Sequence, residues 1–404
     1  MKKILLLSAI MAGAMSVNAQ SDFTVKEIAK LPVKNITNYD KTVMRSGYGF
    51  GDKFYMTDRN AQQLRVFNLA TGEEIAQKEI GANQALGHDE AGNAIIANWG
   101  FAGSNPVGSQ TTFTLISADL KEMRTTEKVG SIQGRGDYLG KAKGNVFGKE
   151  GATLLASGAA QDLENKGIVC YTFTPSGGDT PLVKYSNVWD ADQKIGAGTW
   201  ATYNYYKDVD GTDRYLYVNR SSALIDVTFE EGEVLGDQTR SYSPEDRLPN
   251  KGVCNGGEIF VLGSRKFVVY GNVTTPTYLD GISIAEIGAD NKTLTTVYTQ
   301  EAKETTREMT TQGNWLNVEV LNDKQAKLYQ YFLGGYVAEY GISIDGAVTP
   351  GTSGVKGIEN APAQVVSTTY YTPAGVASKT AVKGLNIVVT KYADGSQKVA
   401  KVIK

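Results

Sequence analysis

The feature that most constrains the fold of this chain is a pair of apolar, β-rich segments that recurs six times. Each pair consists of a strand, a turn and a second strand, and the first pair covers residues 53–57 and 63–69. The six pairs are anchored at residues 54, 94, 153, 215, 267 and 328, which lie about 40 to 62 residues apart. This spacing brackets that of four-stranded propeller blades.

One small sheet cannot bury both of its faces, whereas several sheets packed radially bury nearly all of them and leave only short edges. The 45 glycines and 22 tyrosines also favour short strands joined by tight turns. We therefore predict an all-β fold, a β-propeller of six or seven blades over residues 20–347. Residues 21–29 indicate an extra strand that could close the ring against the last blade. The alternative is two unrelated β-sandwiches.

The N-terminus has the pattern of a secretory signal peptide over residues 1–19. Lys2 and Lys3 precede an apolar run over residues 4–15, and the small residue Ala19 ends the segment. The run is too short to span a bilayer, and no later segment reaches about 18 apolar residues. We expect a mature chain without a transmembrane segment that is secreted, extracellular or on the outer-membrane surface, with the periplasm as the alternative.

The C-terminal part reads as a separate β module. Residues 348–360 begin with a Pro/Gly/Ser/Thr-rich stretch that predicts a linker. The module, residues 361–404, has predicted strands at 364–371, 384–392 and 397–403. Asp394-Gly395 is typical of a tight hairpin between the last two strands.

Three pieces of this module carry a family resemblance: YYTPAGV at 370–376, KGLNIVV at 383–389 and YADGSQKVAKVIK at 392–404. In this order they resemble the C-terminal sorting tail of secreted proteins from Bacteroidetes. The resemblance implies export across the outer membrane with type IX secretion machinery as a partner. The spacing of the preceding predicted blades is similar to that of uncharacterised secreted propeller-like proteins of Bacteroidales. This similarity implies a surface or extracellular protein, and it assigns no catalytic residue.

The scarcity of histidine and cysteine limits the metal sites and catalytic mechanisms that the chain could support. Zinc sites usually need several His or Cys ligands and catalytic triads need a base, but this chain has one histidine, His88, and two cysteines. We therefore predict no metal, no cofactor and no catalytic residue, while enzymes that use only carboxylates stay open. His88 is expected in a loop, bonded locally to Asp89.

The charge distribution argues against nucleic acid as a partner. The net charge of −2 includes Lys2 and Lys3 of the leader and six lysines against Asp394 in residues 361–404. The body between them is therefore more acidic than the whole chain. Nucleic-acid backbones are recognised by clustered Lys and Arg, which an acidic body does not supply.

The two cysteines leave two alternatives open. In an oxidising compartment Cys170 and Cys254 could form a disulfide. Both lie in apolar surroundings, so two buried free thiols are the alternative.

The aromatic loops are the best binding signal. All four tryptophans lie beside Gly, Asn, Asp or Thr rather than inside an apolar strand. A Trp ring suits stacking on sugars, because it has a flat apolar face and one N–H donor. The predicted ligand-binding residues are Trp99, Trp200, Tyr203 and Trp315; the alternative role is packing between blades.

Residues 208–213, DVDGTD, resemble part of a calcium loop. A strand begins at Arg214 where further ligands would be needed, so the pattern favours a solvated hairpin turn; calcium bound with extra backbone carbonyls is the alternative.

These observations favour a non-enzymatic binding protein for glycans or another surface component. One alternative is a carboxylate-dependent polysaccharide lyase or hydrolase acting in the central funnel. Another is a protein-interaction scaffold. The residues that line the central channel should discriminate between them: convergent carboxylates with Arg or Tyr would favour catalysis, and exposed Trp with amides would favour binding.

Overall fold

The computed structural model divides the chain into two compact units, Met1–Thr352 and Ser353–Lys404. It describes residues 22–81, 84–99, 108–132, 136, 138–157, 168–175, 182–187, 189–190, 201–219, 224–230, 233–242, 256–271, 280–301, 314–350, 365–372, 376–392 and 397–403. The predicted signal peptide lies outside these ranges. The first described elements are strand β1 (Phe23–Pro32) and a 3₁₀ turn (Val33–Asn35).

Within the described residues, the strands of unit 1 form three four-stranded sheets, one five-stranded, one eight-stranded and one two-stranded sheet. These sheets divide into six four-stranded antiparallel blades of a propeller. Blade 1 contains β2 (Gly47–Phe50), β3 (Lys53–Asp58), β4 (Gln63–Asn68) and β5 (Glu74–Glu79). Blade 2 contains β6 (Gln84–Asp89), β7 (Ala94–Asn98), β9 (Phe113–Ile116) and β10 (Met123–Thr125), and the short strands β8 (Gln110–Thr111) and β11 (Val129–Gly130) pair beside it. Blade 3 contains β12 (Lys141–Gly144), β13 (Ala152–Ser157), β14 (Ile168–Phe173) and β15 (Val183–Asn187).

The remaining three blades complete the ring. Blade 4 contains β17 (Thr202–Lys207), β18 (Asp213–Val218), β19 (Leu224–Glu230) and β20 (Glu233–Tyr242), with β16 (Trp189–Asp190) paired outside β20. Blade 5 contains β21 (Gly257–Leu262), β22 (Arg265–Gly271), β23 (Ile282–Ile287) and β24 (Leu294–Gln300). Blade 6 contains β25 (Asn314–Asn322), β26 (Gln325–Phe332), β27 (Tyr336–Ile344) and, as its outermost strand, β1.

The ring is closed by pairing the two ends of unit 1. Strand β1 runs antiparallel to β27, from Phe23 opposite Ile344 to Pro32 opposite Tyr336. The predicted closing strand is therefore confirmed, and the described part of the chain contains six blades rather than seven. A ring closed in this way excludes the alternative of two unrelated β-sandwiches.

The twelve strands of the sequence repeat prove to be the second and third strands of the blades. These strands are buried on both faces, as in β3 and β27, because neighbouring blades pack against them. Their side chains form most of the apolar clusters between the blades. The innermost strands surround the central axis.

The innermost strands of blades 2 and 3 also pair directly. β6 and β12 run parallel, with His88 opposite Lys141, and this joins the two blades into one eight-stranded sheet. The close approach requires glycine, since a Cβ at Gly87 would lie 2.5 Å from the carbonyl oxygen of Gly140.

Unit 2 is one antiparallel sheet with strand order β29-β28-β30-β31. Its strands are β28 (Val365–Tyr371), β29 (Ala377–Ser378), β30 (Leu385–Tyr392) and β31 (Gln397–Ile403), which confirms the three predicted strands. The predicted Asp394-Gly395 hairpin lies outside the described residues. Among the residues that are described in either unit, no helix is long and apolar enough to cross a membrane.

Candidate functional site

The structure places the predicted tryptophans in the interior. Trp99 is 1% exposed, and its Nε1 donates a 2.7 Å hydrogen bond to the carbonyl of Gly136. Its ring contacts Phe113 edge-on, with centroids 6.2 Å apart. Trp315 is 9% exposed, and its Nε1 donates to the carbonyl of Arg45 at 2.7 Å.

Tyr203 is also buried, at 0% exposure, with its ring 5.2 Å from that of Tyr217. Trp200 lies outside the described residues. Trp99, Trp315 and Tyr203 are thus packing residues rather than exposed stacking platforms, which corrects the ligand-facing expectation for these three. The physical reason is that splayed blades leave wedge-shaped gaps, and large aromatic side chains fill them.

Cys170 is a buried free thiol in the third strand of blade 3. Burial raises its pKa to about 11. Cys254 lies outside the described residues.

Strand pairing and hydrogen bonds link one residue of each innermost strand to a neighbouring strand near the central axis, and we call these six residues the central layer: Gly49, His88, Lys141, Asn204, Glu258 and Asn317. Polar side chains in this layer bridge adjacent blades. Asn317 of blade 6 accepts a hydrogen bond from Gly49 N at 2.9 Å and donates to Gly49 O at 2.8 Å. Asn204 of blade 4 accepts from Lys141 N at 3.1 Å and donates to Gly257 O at 2.8 Å.

A buried carboxylate makes a third bridge. Glu258 of blade 5 is 1% exposed and accepts a hydrogen bond from Val318 N of blade 6 at 3.0 Å. Desolvation raises the pKa of Glu258 despite the opposing effect of the Lys141 charge. These bridges satisfy backbone groups that strand pairing leaves open near the axis.

Lys141 extends into the channel toward the far blades. Its Nζ donates to Val318 O at 3.3 Å and lies 3.7 Å from Glu258 Oε2. A cavity of about 440 Å³ has Lys141 in its wall, and a smaller one of about 30 Å³ has Glu258 in its wall. The Lys141–Glu258 ion pair therefore lies where the two cavities adjoin, and His88 and Asn317 line both.

His88 is the least satisfied polar side chain of this layer. It lies within β6, is 5% exposed and stacks on Tyr48 at 4.6 Å between ring centroids. Its Nε2 is buried and has no hydrogen-bond partner among the described residues. Burial, reinforced by the positive charge of Lys141, lowers its pKa to about 3, so the ring is neutral at physiological pH.

The expectation of a loop histidine bonded to Asp89 was wrong. Asp89 accepts instead from the backbone N–H groups of Ala91, Asn93 and Val146 and from the Asn93 amide.

The larger cavity is lined by acidic groups that the protein already engages. Glu90 accepts from Gly144 N at 2.6 Å, and Glu319 accepts from the Tyr329 hydroxyl at 2.7 Å. Asp208 is held by Lys266 Nζ at 3.0 and 3.2 Å. Asp208 also accepts from Val209 N at 2.8 Å, and Glu319 also accepts from Gly51 N at 2.8 Å. The mouth adds apolar side chains, since Val209 and Val320 are 51% and 45% exposed.

The partial calcium motif forms a hairpin turn between β17 and β18, as predicted. Asp208 N donates to Thr212 O, and Gly211 N donates to Asp208 O, both at 2.9 Å. Asp213 pairs with Lys143 and accepts from the Tyr205 hydroxyl. No group of three or more potential metal ligands occurs within the described ranges.

In the part of the chain that the structure describes, fold and site together define a six-bladed β-propeller with a polar central channel crossed by an ion pair between Lys141 and Glu258. No protein-family model and no curated protein matches the sequence. Among solved structures, a DUF4623 family protein from Bacteroides eggerthii is similar at 10% identity, with 82% of this chain and 76% of that chain covered and a TM-score of 0.49. Regucalcin, a calcium-binding protein from Agrobacterium tumefaciens, is similar at 11% identity over 80% of this chain and 97% of that chain, with a TM-score of 0.40.

Proposed function

We propose that this chain is a secreted or surface-exposed binding protein that holds a small, neutral, hydroxyl-rich ligand, such as a sugar unit of a glycan, in the larger cavity. The observation that carries the proposal is the cavity itself. It lies on the propeller axis, receives residues from all six innermost strands, and its volume of about 440 Å³ is typical of small-molecule sites.

The charges around this cavity favour a neutral ligand. Four carboxylates (Asp89, Glu90, Asp208 and Glu319) line it together with two lysines (Lys141 and Lys207). An anion would meet the carboxylates, and a cation would meet Lys141, whose side chain is only 16% exposed. Hydroxyl groups can donate to carboxylates and accept from lysine, so a polyol suits both.

The mouth of the cavity supports a carbohydrate among such ligands. Val209 and Val320 present apolar surface above the polar interior. A pyranose has carbon-bound hydrogens on its faces and hydroxyls at its edge, which matches this division.

Binding fits the site better than catalysis. The carboxylates Glu90, Asp208 and Glu319 are tied to protein donors. A base with a pKa of about 3, as in His88, is poorly matched to proton transfer at neutral pH. One observation favours a carboxylate-dependent lyase or hydrolase instead: the pKa of Glu258 is raised in a buried position beside the cavity. Product formation from a bound oligosaccharide, abolished by Glu258→Gln, would support that second candidate.

The test is direct titration of the purified protein with neutral monosaccharides and short oligosaccharides by calorimetry. Val320→Trp should obstruct the mouth and weaken binding. The matched control is Leu321→Trp, because Leu321 is similarly exposed, at 41%, but does not line the cavity. Equal binding by both variants, or no binding by the wild type, would contradict the proposal.

The location outside the cytoplasm is a separate part of the proposal. It is supported by the leader-like residues 1–19 and by the tail-like residues 361–404. Mass spectrometry of the exported protein should find Gln20 at its N-terminus. Retention of Met1 in exported protein would refute the signal peptide, and unchanged export after removal of 361–404 would refute a sorting role for the tail.

A further inference from the structure

Blades 4 and 5 hold a lysine, a carboxylate and an amide in mutual contact. Lys266 lies in β22, Asp208 in the turn between β17 and β18, and Asn291 in the turn between β23 and β24. The side chains of Lys266 and Asp208 are 4% and 1% exposed. A primary amine, a proton acceptor and an amide carbon are thus brought together in a largely buried cluster.

The lysine nitrogen lies very close to the amide. Lys266 Nζ donates to Asn291 Oδ1 at 2.5 Å, which is shorter than the usual range of about 2.7–3.2 Å for an N–H···O bond. Because a C=O bond is about 1.2 Å long, Nζ lies within about 3.7 Å of Cγ of Asn291. Atoms that are poised to react are about 3–3.5 Å apart. The amine is therefore at or near the distance from which it can attack the amide carbon.

Asp208 is placed to move the protons of such a reaction. Lys266 Nζ donates to both of its carboxylate oxygens, at 3.0 and 3.2 Å. A general base must lie within about 2.6–3.2 Å of the group whose proton it takes. The same nitrogen therefore contacts both the base and the amide.

The turn fixes the position of Asn291. This residue has a left-handed backbone, with φ of 55°, which asparagine tolerates better than most residues. Its N–H donates to Gly288 O at 2.8 Å, and Asp290 accepts from the N–H groups of Lys292 and Thr293. The amide is thus presented to Lys266 from an ordered turn.

Apolar side chains surround the lysine on its own strand. Val268 and Tyr270 follow Lys266 at intervals of two residues in β22, so the three side chains share one face of the sheet. Val268 and Tyr270 belong to a cluster of buried residues with Tyr206 and Leu216 of blade 4. This packing excludes water, which protects the amide carbon from hydrolysis.

We propose that Lys266 and Asn291 form an intramolecular isopeptide bond, with Asp208 as the catalytic base. Asp208 takes a proton from the Lys266 ammonium, and the neutral Nζ attacks Cγ of Asn291, whose C=O π electrons move to Oδ1. Asp208 passes its proton to Nδ2 and takes the surplus proton of Nζ. The Cγ–Nδ2 bond then breaks as the carbonyl re-forms, and Nδ2 leaves with the bonding pair as ammonia.

The reaction balances without a further reagent. The released ammonia takes the proton of Asp208, so an ammonium and a primary amide become a secondary amide and an ammonium ion. Nothing is oxidised or reduced, and no ligand takes part. The inference therefore goes beyond the proposed function and does not depend on it. The bond would tie the β23–β24 turn covalently to β22.

The test is mass spectrometry of tryptic fragments of the wild-type protein. Trypsin cleaves after Arg265, Lys266 and Lys292, and no other Lys or Arg lies between them. An acylated Lys266 resists cleavage, so the bond predicts one closed fragment, 266–292, that is lighter than its sequence mass by one ammonia, about 17 Da. Release of fragment 267–292 at its full sequence mass would overturn the proposal. A link between Lys266 and Asp208, with loss of one water, would overturn it as well.

Variants test the role of each group. Asn291→Ala should abolish the loss of ammonia, and Asp208→Asn should lower the crosslinked fraction at least about 10-fold, because it removes only the base. The control is Lys292→Arg, which changes an exposed neighbour, keeps the tryptic site and should crosslink as the wild type does. Equal crosslinking in Asp208→Asn would overturn the role of Asp208 and leave the bond standing. If Asp208→Asn does not fold, the wild-type fragment still decides whether the bond forms.

Discussion

Protonation of His88 should decide how strongly acid destabilises the propeller. Burial and the Lys141 charge lower the pKa of His88 from 6.5 to about 3 in the folded chain. In the unfolded chain the group should titrate near 6.5. The unfolded state therefore binds a proton in a pH range where the folded state does not, so stability is complete above about pH 6.5 and falls as the pH drops toward 3.

The magnitude follows from the size of this window. Each pH unit between the two pKa values costs about 1.4 kcal/mol, so lowering the pH from 7.5 to 4.5 should remove about 2.5 kcal/mol through this one side chain. Carboxylates also contribute to acid sensitivity, but their share is common to the wild type and His88→Phe. The difference between the two proteins isolates the histidine.

The assay is urea-induced unfolding of both proteins at pH 7.5 and 4.5, with Lys121→Met as a surface control that should follow the wild type. The free energy of unfolding should fall by about 2.5 kcal/mol more in the wild type than in His88→Phe. Equal losses within about 0.5 kcal/mol, or an NMR titration of His88 near pH 6.5, would refute the reasoning that a buried, cation-facing ring stays neutral.

Three further predictions concern the stability of the closed ring of blades. Leu31→Ala in the closing strand β1 should lower the free energy of urea unfolding by about 2–5 kcal/mol, because Leu31 is buried. The control Lys26→Ala, on an exposed residue of the same strand, should change it by less than about 0.5 kcal/mol. Similar losses in both variants would argue against closure by apolar packing. Gly49→Ala would place its Cβ 2.0 Å from the ring of Tyr329, so its melting temperature should fall by several degrees, and an unchanged value would contradict this close approach. Asn317→Ala leaves both backbone groups of Gly49 without their partners and should cost about 1–3 kcal/mol in the same urea assay; a neutral effect would show that water replaces the bridge.

Sequence reasoning found the middle strands of the blades and missed the innermost ones. The middle strands are continuous apolar runs, because both of their faces pack against neighbouring blades. The innermost strands face a polar channel on one side, and short segments such as β2 (GYGF) and β12 (KAKG) carry little apolar signal. The missed strands include the ones that build the candidate site.

The prediction that the tryptophans face a ligand was wrong for a related reason. Trp99 and Trp315 stand beside small and polar residues in sequence, which is equally consistent with an exposed loop and with a wedge between blades. Only the packing shows that their indole N–H groups bond to backbone carbonyls and that their rings are buried. His88, Lys141 and Glu258 come from three different blades, and no spacing along the chain brings them to one layer.

By itself, the sequence determined the class of fold and the repeated unit, because burial on both faces of the middle strands produces a local apolar pattern. It also indicated the closing strand at residues 21–29. Among the residues that the structure describes, the tertiary structure alone decided that six blades form, which side chains meet on the axis and that Nε2 of His88 has no hydrogen-bond partner. Those properties arise where residues as distant in sequence as His88, Glu258 and Asn317 line one cavity. That shared cavity exists only once the ring of blades has closed.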